Sequence, residues 1–342
     1  MKVLVTGGTG FIGSHTVVEL HEAGYQPVIV DNLNNSSITV LDGLKKITGI
    51  DFPFYQVDCN DREAFQAVFE KERPEGVIHF AAYKAVGESV EKPLAYYQNN
   101  VGSLMTLLDL MRANDCPRLI FSSSCTVYGQ PDALPVDETA PKKPAESPYG
   151  NTKQICEEII EDVTKTGEFL SAVSLRYFNP IGAHPSAEIG ELPIGTPNNL
   201  VPFITQSVAG IRGALTVFGN DYDTPDGSCI RDYIHVVDLA QAHVASLKFL
   251  LENPEVKSEL FNLGTGEGNS VLEVIKTFEQ ANQLKVDYKI GDRRSGDVEK
   301  VYGNVDKASH ILKWKTKLSL EDSLRDAWNW QQRLGQAKNQ SS

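Results

Sequence analysis

The sequence predicts an α/β protein built on a doubly wound parallel sheet, with a smaller C-terminal α/β lobe. Three observations carry this. Short apolar runs alternate with stretches of helix length through the first half, a glycine-rich turn links the first strand to the first helix, and prolines crowd the chain beyond residue 178. A chain of 342 residues with 41% hydrophobic content can bury a sizeable core and exceeds one ordinary compact unit.

Taken in order, VLVT (3–6) is a buried strand, HTVVELHEAG (15–24) a helix and PVIVD (27–31) the next strand, which makes one βαβ unit. FYQVD (54–58), a polar helix over 61–72, GVIHFA (76–81), a long helix through about 94–113 and RLIFSSS (118–124) continue the alternation. Strands spaced this way form a parallel sheet covered on both faces. After LSAVSLRYFNP (170–180), Pro180, Pro185, Pro193, Pro197 and Pro202 mark loops, so the expected units are 1–178 and 179–342. The second unit holds helices near 200–211, 236–252 and 320–334. LFNLGTG (260–266) is apolar enough for part of 233–265 to return to the first sheet, and the polar end QAKNQSS is expected to fray.

A net charge of −13 disfavours a nucleic-acid partner, which would require a basic patch. Cys59, Cys116, Cys125, Cys156 and Cys229 are odd in number and lack C-x-x-C spacing, which suits neither a disulfide framework nor a metal site. The opening MKVLVTGGTGFIG has no secretory-type apolar region or cleavage site, and no run reaches the ~18 apolar residues of a membrane span. The expectation is a cytoplasmic protein with reduced thiols and no membrane contact.

TGGTGFIG (6–13) places Gly7, Gly10 and Gly13 between a strand and a helix, where a dinucleotide pyrophosphate meets backbone at a helix N-terminus. Asp31 ends the second strand, where its carboxylate accepts hydrogen bonds from both adenosine ribose hydroxyls and repels a 2′-phosphate. This predicts a Rossmann-type domain and NAD(H) over NADP(H). Asp58, ending the third strand, either meets the adenine or caps a helix.

SPYGNTK (147–153) puts Tyr149 and Lys153 one helical turn apart on one face. An ammonium beside a phenol favours the phenolate, so the pair is expected to lower the tyrosine pKa and accept an alcohol proton as hydride leaves its carbon. Ser124 lies at the C-terminal end of a sheet strand, the edge where ligands bind in open α/β sheets. There it can bridge a substrate hydroxyl and the tyrosine.

TGGTGFIG, HFAAYKAVGES (79–89), FSSSCTVYG (121–129), SPYGNTK and RYFNPIGAHPS (176–186) together resemble the extended short-chain dehydrogenase/reductase family. More narrowly, TPNNL (196–200), VFGNDYDTPDGSCIRDYIHVVDLA (217–240), NLGTGEGNSVLEV (262–274) and RRSGD (293–297) resemble its UDP-glucose 4-epimerases, enzymes of galactose metabolism, over residues 1 to about 330. The resemblance implies reversible C4 epimerisation of UDP-glucose and UDP-galactose through a transient 4-keto sugar, with NAD retained. Tyr149 is then the base, Ser124 orients the proton, and Lys153 holds the cofactor ribose. The glycines, Phe11, Ile12, Asp31, Asn32, Asn35, Ser36, Asp58, Phe80, Ala81, Lys84, Asn99, Tyr149, Lys153 and Tyr177 match cofactor positions. Ser124, Tyr149, Asn179, Asn199, Arg231, Tyr233, Arg294 and Asp297 match substrate positions. Arg231 alternatively pairs with Asp232, and Arg293 is expected in solvent.

Resembling 4,6-dehydratases carry an Asp-Glu pair after the serine, to eliminate water; here Cys125 and Thr126 stand there. Removal and return of hydride is the simpler cycle. Val301 falls where some relatives carry a tyrosine against the sugar, leaving room for UDP-GlcNAc and UDP-GalNAc, unless Tyr302 fills the space or the valine is merely packed. The resemblance also implies a homodimer through helices near 94–113 and 150–166. Alternatives are a dehydratase or reductase of nucleotide sugars, and a non-catalytic NAD-sensing protein.

Overall fold

The computed structural model describes residues 1–294 and 298–340. Its main sheet has seven parallel strands in the order Ser258–Leu263, Ser171–Tyr177, Arg118–Ser122, Gly76–His79, Lys2–Thr6, Gln26–Asp31, Phe54–Gln56. The first strand of the chain pairs with Gln26–Asp31 on one side and Gly76–His79 on the other. Strand order reverses there, which opens a crevice at the C-terminal edge.

Alternation along each strand sends side chains to two cores. Val3, Val5, Ile29, Ile78, Ile120 and Val173 meet the helices Phe11–Glu22 and Val236–Glu252 through Val17, Leu20, Leu239 and Leu247. On the opposite face, Leu4, Val28, Val77, Leu119 and Phe121 meet Phe65, Phe69, Leu104, Leu107 and Ile160. Each such side chain contributes about 1.5–3 kcal/mol by leaving water. A third core, with Ile181, Ile204, Val217, Phe278 and Leu324, lies under the helices Leu200–Val208, Val271–Asn282 and Leu320–Gln340. Ser258–Leu263 hydrogen-bonds to Ser171–Tyr177, so this late segment is part of the main sheet.

Three elements differ in extent or form from the expectation. The first helix begins at Phe11, ahead of 15–24: its N-cap is Gly10, without a capping side chain or an acidic first turn to announce it in sequence. The helix expected through 94–113 is present as one helical run, Pro93–Tyr96, Tyr97–Val101 and Gly102–Ala113, whose middle segment is a wide π turn. There Asn100 is pulled inward, accepting from Tyr83 N–H at 2.8 Å and donating to Tyr83 O and Thr152 Oγ1 at 3.0 Å each. The last helix runs to Gln340, beyond the expected 334.

The glycine turn is a steric requirement. Gly7 has φ +70°, and a Cβ on Gly13 would fall 2.2 Å from Gly7 O. Neither atom is the end of a flexible side chain, so backbone must move. Gly13→Ala is expected to cost about 1–3 kcal/mol of stability and to empty the dinucleotide crevice. Urea denaturation and the nucleotide content of purified protein check this.

Burial also holds His15 and His79 down to about 3 and His243 to about 4. Unfolded, they titrate near ~6.5, so below that pH the unfolded state binds more protons. The stability contribution of these groups is therefore complete above pH ~6.5 and is lost as pH falls through the folded values. At ~1.4 kcal/mol per pH unit each, the three give a slope of about 4 kcal/mol per unit near pH 5. Urea midpoints measured across this range check it, and His243→Phe should remove about a third of this histidine slope.

Candidate active site

The crevice is built from three loops that follow strands. The first is the glycine turn, where Gly7 N–H donates to Val30 O at 2.8 Å and Gly10 N–H to Gly7 O at 3.0 Å. No side chain caps the helix that starts at Phe11 and Ile12, so its first-turn N–H groups face the crevice mouth. A Cβ on Gly7 would come within 2.9 Å of Ala81 N, which follows Phe80 out of the strand Gly76–His79. The cradle fits a pyrophosphate approaching backbone.

Asp31 is buried at the end of its strand. It accepts from Thr9 N–H at 3.2 Å, Leu33 N–H at 2.9 Å and Ser36 Oγ at 2.9 Å. Asn32 donates to Asp58 at 2.9 Å, and Asn60 N–H donates to it at 2.8 Å. Burial would raise the Asp58 carboxyl, but the hydrogen bonds from Asn60 and Asn32 outweigh it and hold the group below the usual range. The cap of the next helix is Asp61, which accepts from Ala64 N–H, so capping is not the function of Asp58. Asn35 is exposed on the loop and Asn99 sits in the π turn. Phe80 packs on His243, ring centroids 4.7 Å apart, and Lys84 pairs with Glu191 at 3.3 Å. A dinucleotide fits this set: uncapped amides for phosphate, a buried carboxylate for ribose, and apolar rings beside the strand edge.

At the strand end beyond Arg118–Ser122, the three serines each take a different partner. Ser122 Oγ lies 2.7 Å from Tyr177 Oη, while its carbonyl accepts from Lys153 Nζ at 2.6 Å. Ser123 donates to Glu157 at 2.5 Å. Ser124 accepts from Thr126 N–H at 3.2 Å and hydrogen-bonds Tyr149. Tyr149 and Lys153 stand on the helix Pro148–Lys165, capped by Ser147, which accepts from Gly150 N–H at 3.1 Å. Ser124, Tyr149 and Lys153 are all buried.

The expected lowering of the tyrosine pKa is reversed in this pocket. Burial pushes Tyr149 well above the usual phenol range, Tyr177 adds to this, and the Ser124 hydrogen bond opposes it. The Lys153 ammonium lies 5.9 Å from the Tyr149 ring centroid, and burial brings the lysine itself down to about 8. Desolvation is the largest influence on the phenol. Burial likewise pushes the Cys125 thiol up to about 12, so it is no acid catalyst at neutral pH.

On the other side of the crevice, Asn199 starts the helix Leu200–Val208 and donates to Glu191 at 2.7 Å. Tyr233 is strand-paired with Asn179, and Val301 with Arg231. Arg231 donates to Ile230 O at 2.8 Å, while Asp232 accepts from Thr265 N–H and Oγ1 at 2.8 Å and Gly266 N–H at 3.1 Å. The alternative Arg231–Asp232 pair is therefore not formed. Arg294 stands over the Phe218 ring at 5.4 Å. Arg293, expected in solvent, is exposed, and there it pairs with the exposed Asp221 at 2.7 Å and lies over Tyr222 at 4.1 Å. Val301 is buried with Val127, Tyr128, Val136 and Phe178, and Tyr302 lies against Gly268. Asp297 lies outside the described residues.

Sequence reasoning missed Glu157, Arg176, Glu191 and His243. Glu157 had a signal, since it continues the Tyr149–Lys153 face by one more turn. Glu191 and His243 had none, because their partners are distant in sequence.

A family profile described as GDP-mannose 4,6 dehydratase matches residues 4–327. The chain is 50% identical over 331 residues to UDP-glucose 4-epimerase GEPI48 of Cyamopsis tetragonoloba, covering 96% of this chain and 94% of that one. A crystal structure of UDP-glucose 4-epimerase from Stenotrophomonas maltophila, with bound NAD and formylated UDP-arabinopyranose, matches with TM-score 0.96 and 46% identity over 98% and 99% of the two chains. The enzyme from Bifidobacterium longum, in complex with NAD+ and UDP, matches with TM-score 0.93 and 44% identity over 97% and 98%. With this identity over nearly the whole of each relative, the chain belongs to the UDP-glucose 4-epimerases of the extended short-chain dehydrogenase/reductase family.

Proposed function

We propose that this protein interconverts UDP-glucose and UDP-galactose by oxidising and re-reducing C4 of the sugar, with NAD retained through the cycle. The observation that carries this is the strand edge. Ser124, Tyr149 and Lys153 converge there beside a dinucleotide cradle, and Cys125 and Thr126 supply no second acid. A dehydratase would require that acid to expel water, and a protein that only senses NAD has no use for the triad.

Tyr149 takes the C4 hydroxyl proton and later returns it, while the Ser124 hydroxyl orients the phenol. When bound, NAD supplies the hydride acceptor and donor and a positive ring that favours the tyrosine phenolate against burial. Lys153, fixed on Ser122 O, would hold the cofactor ribose with its remaining N–H bonds. The sugar must turn over between the two hydride transfers, so binding energy belongs on the part that does not react. Asn179, Asn199, Arg231, Tyr233, Arg294 and Asp297 are assigned to the UDP end, with the arginines on phosphate. Asp31, with Asn32, Asn35, Ser36 and Asp58, is assigned to the adenosine half of NAD; Lys84, Asn99 and Tyr177 to the rest.

Leu94 and Met105, exposed apolar side chains within the segment 94–113, support a homodimer there. All five cysteines are free, which suits the reducing cytoplasm. No helix among the described residues is long and apolar enough to cross a membrane.

Purified protein given UDP-galactose and no added NAD should convert it to UDP-glucose, followed by proton NMR. Failure with and without NAD would remove the epimerase reading. Tyr149→Phe should lower kcat by about 10²–10⁴-fold with NAD still bound; an undiminished rate removes the tyrosine from its role.

Val301, smaller than the tyrosine some relatives carry there, supports a wider range that includes UDP-GlcNAc and UDP-GalNAc; Tyr302 lies against Gly268, and the valine itself packs with Val127, Tyr128, Val136 and Phe178. Val301→Tyr should then depress turnover of the acetylated sugars by at least about tenfold relative to the plain ones. An unchanged ratio in parallel kinetics overturns the wider range.

A further inference from the structure

Glu157 is a buried carboxylate that the reaction described above does not use. Its side chain is 6% exposed, and it accepts from Ser123 Oγ at 2.5 Å, Arg176 Nε at 2.9 Å, Arg176 Nη2 at 2.7 Å and Lys142 Nζ at 3.1 Å. It stands one turn beyond Lys153 and two beyond Tyr149, so the three share a helix face. Its partner Ser123 is fully buried and lies between Ser122, whose carbonyl holds the Lys153 ammonium, and Ser124, which hydrogen-bonds Tyr149. One carboxylate thus ties the helix that carries the base and the lysine to the strand end that carries the serine.

Arg176 extends the tie to the next strand. Its guanidinium lies 4.6 Å from the Tyr128 ring centroid, and Tyr128 Oη donates to Asn262 at 2.6 Å in the edge strand Ser258–Leu263. As a source of stability this pair is poorly designed. A buried ion pair rarely exceeds the stability of well-packed apolar residues, and Arg176 Nη1 is buried with no hydrogen-bond partner. What it provides is geometry: two parallel N–H bonds to a carboxylate fix both direction and distance.

We propose that Glu157 is a positioning residue of the epimerisation, acting through Ser123 and Arg176 to set where Ser124 and Lys153 stand relative to Tyr149. The proposal rests on the epimerase reading. It differs from a packing role because it places the loss in the chemical step, after substrate and NAD are bound. A displacement of about 1 Å between reacting groups costs on the order of 100-fold in rate while leaving remote binding contacts in place.

The test uses the full chain with its retained NAD and UDP-galactose as substrate. Ser123→Ala removes one hydrogen bond and leaves the Glu157–Arg176 pair intact. It should keep the wild-type melting temperature and NAD content, hold KM within about twofold, and lower kcat about tenfold. The double variant Glu157→Met with Arg176→Met replaces the pair by apolar side chains of similar length and separates stability from position. It should fold, retain NAD and lose about 100-fold in kcat, with substrate-driven reduction of the bound NAD slowed in parallel. Should the double variant fail to fold, Ser123→Ala decides alone. Wild-type kcat in Ser123→Ala, or loss only through KM or NAD content, overturns the proposal while wild-type protein remains active. If wild-type protein itself leaves UDP-galactose unchanged, the epimerase reading falls and the proposal with it.

Discussion

A buried ammonium sets the terms of this site. Lys153 is desolvated, held by the carbonyl of Ser122 at 2.6 Å, and lies 4.9 Å from the Phe121 ring centroid, so both contacts come from the strand Arg118–Ser122. A charge in such a place is costly unless something satisfies it. Burial brings its pKa down, while Cys156 and Glu157 act in the opposite sense. The strand end must therefore be fixed against the helix Pro148–Lys165 before the lysine can stay charged near neutral pH. The three serines do this, each with a separate partner, and leave Ser124 facing the tyrosine.

Charge has also to be handled at the crevice mouth. The net charge of −13 would repel a dinucleotide and a nucleoside diphosphate alike, so positive groups have to be placed individually. Lys84 and Asn199 both donate to Glu191, at 3.3 and 2.7 Å, which keeps two donors at the crevice mouth oriented. The Glu191 loop is in turn pinned by packing: a Cβ on Gly190 would meet the Trp330 ring at 2.5 Å, and Trp330 Nε1 donates to Glu191 O at 2.9 Å. The C-terminal helix thus orders a loop of the crevice.

The sheet was legible in sequence because its signals are local. Period-two apolar runs and the glycine turn need only neighbours a few residues away, and the Ser124–Tyr149–Lys153 set follows from one strand end and one helical turn. The failures share one cause, which is dependence on distant partners. Nothing in the residues around Asn99 announces that Asn100 turns inward to Thr152, yet that contact sits in the π turn that widens the helix. The tyrosine pKa was misjudged because spacing shows a nearby ammonium but not the desolvation of the phenol, and the two act in opposite directions.

That misjudgement sharpens the chemistry. A phenol held neutral by burial does not act as a free base, so its proton affinity becomes useful only when positive charge enters the same dry pocket. Cys125 is subject to the same desolvation and stays a thiol, so in the proposed reaction Tyr149 is the group that exchanges a proton with the sugar. With a single proton acceptor that must also be the donor, the proton removed from C4 is the one available to return. A site arranged this way favours reversing its own first step over eliminating water, and the stereochemical outcome then depends on which face the sugar presents on return.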